Sequence, residues 1–271
     1  MPDKYFEIGD TAILVHHRGV TTLPGCPPLL TDGQAVLFLH DAGANGNSFS
    51  VVMDHLEGSH SPISLDFPGH GRSGSLDSLT SISAFAEYAE SLILSWDAGA
   101  LLVVGEGLGA AVGLELSRRS HLDISGLICV GAVGVAVKLG DEIAELESIT
   151  AGKARRNFDT SGYGPEPDES VLKEAFSQWV KTDPRATLGA RKAQHKWNES
   201  IDLEGVSTPT VVVIGEHASS TSREASLQLA QSLPNATVET LAAAGNHGPI
   251  EQPKAFASLI NRTVEEVGHS S

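Results

Sequence analysis

Short apolar runs alternate with longer amphipathic stretches along most of the chain. The apolar runs are typical of buried strands, and they occupy residues 11–16, 35–39, 61–66, 100–104, 125–132, 209–214 and 236–241. Helical periodicity predicts helices over residues 47–57, 81–96, 108–119, 222–233 and 253–267. Strands separated by helices pair in parallel through right-handed crossovers. The pattern therefore predicts an α/β fold, with a mostly parallel central sheet flanked by helices.

Residues 138–200 interrupt this alternation. They are polar and mostly helical in pattern, they contain the turn-forming stretch GYGPEPD at 162–168, and they include no buried-strand run. Ligands of open α/β folds bind at the carboxyl ends of the strands, so we expect an inserted helical cap over that edge of the sheet. The predicted organisation is a core of residues 1–137 and 201–271, with the cap at 138–200.

Composition narrows the range of partners. The 271 residues include 18 lysines and arginines against 34 acidic residues, which leaves little surface for neutralising phosphates and argues against nucleic acid. No apolar run approaches the roughly 18–20 residues of a membrane-spanning helix, and the N-terminus lacks the regions of a secretory signal. We expect a cytoplasmic protein that binds a small molecule and no membrane, with a homodimer as one candidate assembly.

Nothing in the sequence indicates a metal or a cofactor. Cys26 and Cys129 do not have metal-ligand spacing. His16 and His17, at the end of an early strand, are expected at the surface because no third ligand follows at suitable spacing. The glycines at 105–110 imitate part of a dinucleotide fingerprint, but the following strand does not end in an acidic residue. The basic cluster at 153–156 is expected to be a solvated helix face.

Four glycine-containing segments follow predicted strands or precede the last helix. They are LHDAGANG at 39–46, DFPGHGRSG at 66–74, VVGEGLGA at 103–110 and GNHGPIEQP at 245–253. These segments, in this order, resemble the α/β-hydrolase superfamily, and the D-x-P-G-x-G-x-S pattern at 66–73 is the most specific of them. The resemblance extends from about residue 11 to 267 and implies an α/β-hydrolase fold. Asp66 and Arg72 are expected to stabilise the turn at 66–74.

In that superfamily the third segment is the nucleophile elbow, G-x-S-x-G, a sharp turn from a strand into a helix. Side chains at Gly105 and Gly109 would collide with the neighbouring strand and helix, and the central residue is held in a strained conformation. Here the central residue is Gly107, which has no hydroxyl and cannot form an acyl-enzyme. The chain is expected to keep the geometry of the elbow without its reactive atom.

The resemblance also implies a general base and an acid that orients it. His247 lies where the superfamily has its base, and a polar loop residue is the alternative interpretation. The acid usually follows the strand at 209–214, where this chain has Ala218. Either Glu216 or His217 is a candidate replacement, and so are Asp141 and Glu142, which follow the strand at 125–132.

Two backbone N–H groups, of Ala42 and Leu108, are the oxyanion-hole donors that the resemblance implies. Glu106, in the elbow, is grouped with them as a substrate-binding residue. Asp41 replaces a glycine that is common in the superfamily. It is expected either to accept hydrogen bonds from loop N–H groups or to point into the pocket and form a general acid/base pair with His247.

Three functions are compatible with these residues. The leading one is an enzyme that acts on a small, largely apolar carbonyl compound by His-assisted chemistry without a serine, such as proton transfer, elimination or cyclisation. The others are an ester or lactone hydrolase with an inactivating serine-to-glycine change at 107, and a non-catalytic protein that binds a small molecule. The aromatic residues Phe158, Tyr163, Phe176, Trp179 and Trp197 are expected mostly in the cap core, with one or two in the pocket.

Overall fold

The structure is a computed structural model that describes residues 3–268, apart from 21, 24, 25, 31, 32, 97, 98, 132 and 135. Its strands are β1 (Asp3–Ile8), β2 (Thr11–His17), β3 (Ala35–Leu39), β4 (Ser61–Leu65), β5 (Leu101–Glu106), β6 (Ile124–Val130), β7 (Thr210–Gly215) and β8 (Ala236–Leu241). They form one sheet in the order β1-β2-β4-β3-β5-β6-β7-β8. β2 pairs antiparallel with β1 and β4, and the other pairs are parallel. The predicted α/β fold is confirmed.

The helices are α1 (Ser50–Asp54), α2 (Ile82–Leu94), α3 (Leu108–Ser117), α4 (Gly140–Thr150), α5 (Glu169–Lys181), α6 (Pro184–Glu199), α7 (Ser220–Ser232), α8 (Gly248–Glu251) and α9 (Pro253–Gly268). The helix predicted over 47–57 is wrong in detail. A 3₁₀ helix over Gly46–Phe49 precedes the short α1, and the side chain of Asn45 caps its N-terminus by accepting the Asn47 N–H. No helix in the described ranges is long and apolar enough to cross a membrane.

The continuous apolar runs are explained by burial on both faces of the sheet. Successive side chains of a strand point to opposite faces, and in β3 Leu37 packs on one side while Val36 and Phe38 pack on the other. One face is covered by α2, α3 and residues of α6 and α7, and the other by α1 and α9. β1 was not predicted because DKYFEI is not a continuous apolar run and its polarity does not follow its burial: at this edge of the sheet Lys4 is buried and Tyr5 is exposed.

Residues 138–200 contribute α4, α5 and α6 between β6 and β7, and no strand. α6 also joins the main core, where Ala190 and Ala193 are buried. The division of the chain into a core and a separate cap stays a prediction. Ala132, the last residue of the strand predicted over 125–132, lies outside the described residues.

The prediction that His16 and His17 lie at the surface is wrong, because both are buried. His16 lies between Asp3 and Asp66, with ring nitrogens 2.8 and 3.0 Å from their carboxylates. Asp66 also accepts the backbone N–H groups of Gly46 and Arg72, both at 2.8 Å. The expectation that Asp66 stabilises the 66–74 turn is thereby confirmed. His16, Asp66 and the N–H groups that Asp66 accepts therefore form one buried hydrogen-bond network.

Candidate functional site

A cavity of about 440 Å³ lies at the carboxyl ends of β3 and β5. Loops of the sheet supply one part of its lining, and residues of the 138–200 segment supply the other. The residues that matter for its chemistry are Asp41, Ala42, Glu106, Glu142, Arg156, Phe158, Tyr163, Trp179, Arg191, Asn246 and His247. More of the aromatic residues line the cavity than the sequence predicts. Phe158, Tyr163 and Trp179 do so, whereas Phe176 is 46% exposed and Trp197 packs on the main core.

The turn between β5 and α3 has the geometry expected of the elbow. Its central residue, Gly107, has φ 51° and ψ −109°, a conformation that L-residues rarely adopt. A Cβ at Gly105 would overlap the backbone of Gly109, and one at Gly109 would overlap the carbonyl of Leu39. The flanking glycines are therefore required for close packing of backbone on backbone.

The space beside Gly107 is occupied by Asp41, which follows β3. A Cβ at Gly107 would overlap Asp41 Oδ1 and lie 2.5 Å from Cγ. The carboxylate of Asp41 thus lies where the side chain of the residue at the centre of the elbow would begin. Because the two residues come from different loops, this coupling is invisible in the local sequence.

Asp41 is held by charge and by backbone hydrogen bonds. Leu108 N–H donates to Oδ1 at 2.8 Å, and Arg191 donates to Oδ1 at 2.8 Å and to Oδ2 at 2.7 Å. Burial raises the pKa of Asp41, but Arg191 and the N–H groups of Leu108 and Ala42 outweigh it and hold the pKa below its ordinary value. Asp41 therefore accepts loop N–H groups, as the first expectation has it, and it also lines the cavity, but its carboxylate is paired with Arg191 and not with His247.

The proposed oxyanion donors, Ala42 and Leu108, therefore already interact with a fixed anion. The adjacent His40 helps to orient their loop. Its Nε2 accepts the Phe67 N–H at 3.0 Å, which leaves Nδ1–H to donate to the Asp41 carbonyl at 2.7 Å. Burial lowers the pKa of His40, so a neutral ring makes these two bonds.

Arg191 was not identified from the sequence, where it is one of several polar residues on α6. Its Nε donates to Glu142 and one terminal nitrogen donates to Gln194, each at 2.8 Å. Burial lowers the pKa of Arg191, but the charges of Asp41 and Glu142 raise it by more than burial lowers it. The guanidinium therefore stays charged. Glu142, one candidate for the missing acid, is thus paired with Arg191.

His247 has its carboxylate partner in the elbow itself. Nδ1 of His247 lies 3.2 Å from Oε1 of Glu106, which is buried, and the ring of Tyr163 packs on it at 4.7 Å between centroids. Burial lowers the pKa of His247, but Glu106, Asp41 and Glu251 raise it above its ordinary value. Asp41 acts on His247 through its charge, and no hydrogen bond joins these two side chains.

The other expected substitutes for the acid do not contact His247. Glu216 accepts the N–H of Ala243 at 2.9 Å and lies 4.0 Å from His217, and both side chains are exposed. Asp141 is exposed in the first turn of α4. Glu106 was grouped with the substrate-binding residues, and its pairing with His247 appears only in three dimensions.

Glu251 positions the loop that carries His247. Its carboxylate accepts the N–H groups of Gly245 and His247 at 3.0 Å, and that of Gly164 at 2.7 Å. Asn246 N–H also donates to the carbonyl of Gly162 at 2.7 Å. These bonds join the histidine loop to the 138–200 segment and hold the imidazole against the cavity.

The expectation that residues 153–156 form a solvated helix face is wrong. These residues follow the end of α4 and are not helical. The guanidinium carbon of Arg156 lies 4.0 Å from the centre of the Trp179 ring, within the range of a cation–π contact. No cluster of three His, Cys, Asp or Glu side chains suited to a metal ion occurs among the residues that the structure describes.

Sequence comparisons identify relatives of part of the chain. Protein PHYLLO, chloroplastic, of Arabidopsis thaliana is 32% identical over 143 residues, which are 49% of this chain and 8% of that protein. The dihydrolipoyllysine-residue acetyltransferase component of the acetoin cleaving system of Cupriavidus necator is 25% identical over 127 residues, covering 46% of this chain and 33% of that protein. In both cases the similarity spans a minor part of the relative.

Similar solved structures cover nearly the whole chain. The esterase EaEST of Exiguobacterium antarcticum has a TM-score of 0.79 at 18% identity, covering 97% of this chain and 99% of its own. The enol-lactonase of Burkholderia xenovorans LB400 has a TM-score of 0.77 at 16% identity, and the match covers 96% of this chain and 99% of that protein's chain. MenH from S. aureus has a TM-score of 0.74 at 17% identity, and the match covers 94% of this chain and 98% of that protein's chain. At these identities the likeness establishes the fold.

A family-level comparison covers most of the chain. The model of the alpha/beta hydrolase family matches residues 36–259, from the first residues of β3 into α9. That span contains the elbow, the histidine loop and all the cavity residues named above. The chain belongs to the α/β hydrolase family.

Proposed function

We propose that this chain is an enzyme that moves a proton on a small carbonyl compound, with His247 as the general acid or base and Glu106 as its orienting carboxylate. The observation that carries the proposal is the 3.2 Å contact between His247 Nδ1 and Glu106 Oε1 at the wall of the cavity. Elimination and cyclisation are the reactions that such a proton transfer would serve.

The pair has the properties that acid–base catalysis needs. A carboxylate at Nδ1 selects the tautomer with a proton on that nitrogen, which leaves Nε2 to exchange a proton with the substrate. The side chain of His247 is 38% exposed, so Nε2 is within reach of a ligand. The raised pKa of His247 favours the imidazolium form, which can donate a proton to the substrate.

The surroundings of the elbow favour chemistry without a covalent intermediate. Gly107 offers no nucleophile, and Asp41 is bound at both oxygens by Arg191, which makes it a poor proton carrier and a poor nucleophile. A substrate oxyanion could accept the N–H groups of Ala42 and Leu108 only if the Asp41 carboxylate, which accepts them now, moved away. The proposal therefore assigns charge stabilisation to protonated His247.

The cavity suits a ligand that combines an apolar body with a polar reacting group. Leu146, Ile149 and Ile250 line it together with the aromatic side chains, and a volume of about 440 Å³ is in the range of small-molecule sites. The names of the structural neighbours, an esterase and an enol-lactonase among them, support a carbonyl compound as the substrate class.

The two alternative functions differ in how well they fit. A hydrolase inactivated by a serine-to-glycine change is disfavoured, because a serine at 107 would require the Asp41 carboxylate to move. Non-catalytic binding has one specific observation in its favour, since the Asp41 carboxylate already interacts with both oxyanion donors.

The test is proton exchange in heavy water. Small ketones, lactones and esters are incubated with the protein in D₂O, and loss of the α-proton signal is followed by NMR. We expect exchange that falls by about 100-fold or more in His247→Gln, the usual range for losing a general base. The matched control is His217→Gln, because His217 is exposed beside a carboxylate in a nearby loop.

Two results would overturn the proposal. One is strong hydrolysis of p-nitrophenyl esters with a burst of nitrophenol, which would demonstrate a covalent acyl intermediate. The other is exchange that is as fast in His247→Gln as in the natural protein. Tight binding of a tested compound without any exchange or hydrolysis would instead favour the non-catalytic alternative.

A further inference from the structure

The two arginines that line the cavity differ in their partners. Arg191 is neutralised by Asp41 and Glu142. Arg156 has no Asp or Glu oxygen within 4.0 Å in the part of the chain that the structure describes. Burial lowers the pKa of Arg156 and Asp183 raises it through its charge from beyond that distance, but the ion pair of Asp183 is with another arginine. A partly buried cation without a directly paired carboxylate is costly. Its position in a cavity wall therefore suggests that a ligand supplies the negative charge.

Neutral groups hold the guanidinium of Arg156 in a fixed orientation. It donates to the carbonyls of Thr182 at 2.8 Å and Trp179 at 2.9 Å, and its plane packs over the Trp179 ring. These contacts use two of the five N–H donors of an arginine. The remaining donors have no hydrogen-bond partner in the described ranges, and a preoriented fork of this kind suits a carboxylate.

An aromatic wall joins this cation to the proton-transfer pair. Phe158 lies 5.5 Å from Trp179 and 6.3 Å from Tyr163, measured between ring centroids. Tyr163 in turn packs on His247. The cavity thus has a fixed cation at one end, His247 at the other, and aromatic rings between them.

The acidic residues of the lining do not remove this preference. Asp41 and Glu142 are paired with Arg191, and Glu106 is paired with His247. Asp159 accepts hydrogen bonds from Ser161, and Glu145 is an exposed residue of α4. None of these carboxylates is an ion-pair partner of Arg156.

We propose that the cavity takes an amphipathic carboxylate with an aromatic or unsaturated body. Its carboxylate pairs with Arg156, its body packs on Phe158, Tyr163 and Trp179, and its far end reaches His247. The inference deepens the proposed function by naming its substrate class, and it rests on that function only for the reaction at His247. The binding step can be tested separately.

The test compares a carboxylate with its neutral isostere. Binding of 3-phenylpropionate and 3-phenylpropionamide to the natural protein is measured by titration calorimetry at neutral pH and 0.1 M salt. We expect the carboxylate to bind about tenfold more tightly or better, as for a charge-assisted hydrogen bond. Arg156→Gln should abolish this preference. Arg155→Gln, which removes an exposed neighbouring charge, should leave it unchanged.

Arg156→Lys guards against a folding defect in the glutamine variant, since it keeps the charge and should retain part of the preference. Equal binding of the two compounds to the natural protein, or a preference that survives Arg156→Gln, would overturn the inference, and so would failure of both compounds to bind. A carboxylate preference together with no His247-dependent proton exchange would support this binding site and reject the proposed function.

Discussion

The contact between Gly107 and Asp41 predicts that a single methyl group at 107 is destabilising for two separable reasons. An alanine there would adopt φ 51° and ψ −109°, a sparsely populated conformation that costs an L-residue about 1–3 kcal/mol. Its Cβ would also overlap Asp41 Oδ1 and lie 2.5 Å from Cγ, so the carboxylate would have to move.

The second cost comes from the bonds that Asp41 would lose. The side chains of Asp41 and Arg191 are 17% and 14% exposed, so their ion pair is largely buried. Removing one partner of a buried pair costs about 3–5 kcal/mol. Displacement costs less, about 2–3 kcal/mol, because Glu142 still pairs with Arg191. Gly107→Ala should therefore lower the free energy of unfolding by about 3–6 kcal/mol.

A double-mutant cycle separates the two contributions. Urea unfolding is followed by tryptophan fluorescence for the natural protein, Gly107→Ala, Asp41→Gly and the double variant. With Asp41 truncated, the alanine should cost only its backbone strain of about 1–3 kcal/mol, which gives a coupling of about 2–3 kcal/mol. Gly9→Ala is the matched control, since Gly9 has φ 59° and no atom within 4 Å of its added Cβ.

Equal costs of Gly107→Ala in the two backgrounds would refute the claim that Asp41 occupies the space beside the elbow. A cost no greater than that of Gly9→Ala would refute it as well. Either result would also remove the argument against a serine at this position, and would return the inactivated-hydrolase interpretation to consideration.

Three further predictions concern hydrogen-bonded carboxylates. Glu106→Gln should lower the pKa of His247, because the imidazolium loses its principal stabilising partner, and NMR titration of the ring should show a shift to lower pH. Glu251→Gln should cost about 1–3 kcal/mol in urea unfolding, since one amide oxygen replaces a carboxylate that accepts three N–H groups; an unchanged stability would contradict its positioning role. The buried pair of His16 and Asp66 predicts that the free energy of unfolding falls at both alkaline and acid pH. The raised pKa of His16 gives a stabilisation that is present below pH 6.5 and is lost as the pH rises through the folded-state pKa. The lowered pKa of Asp66 gives a stabilisation that is present above pH 3.8 and is lost as the pH falls through the folded-state pKa. Unfolding titrations from about pH 2 to 9 should show both losses. His16→Gln should remove the alkaline loss and reduce the acid loss, because His16 is the main group that lowers the pKa of Asp66; an unaltered profile would contradict this assignment.

Some features of the fold followed from short stretches of sequence. Apolar runs marked the buried parallel strands, because both faces of the sheet are covered and no alternation is needed. The glycines at 105 and 109 marked the elbow, because only glycine permits that approach of strand and helix. Local steric and hydrophobic rules apply within a few residues, so they are readable without knowledge of the rest of the chain.

The chemistry of the site depended on residues that are distant in sequence. Arg191 and Asp41 are separated by 150 positions, and His247 and Glu106 by 141. His16, although predicted at the surface, is buried because β1 and the 66–74 turn each bring an aspartate to it. The partner of a charged side chain is selected by how loops and helices that are distant in sequence pack together. For that reason the sequence indicated an elbow without a nucleophile, whereas the folded chain determined which carboxylate lies beside it and which one pairs with the histidine.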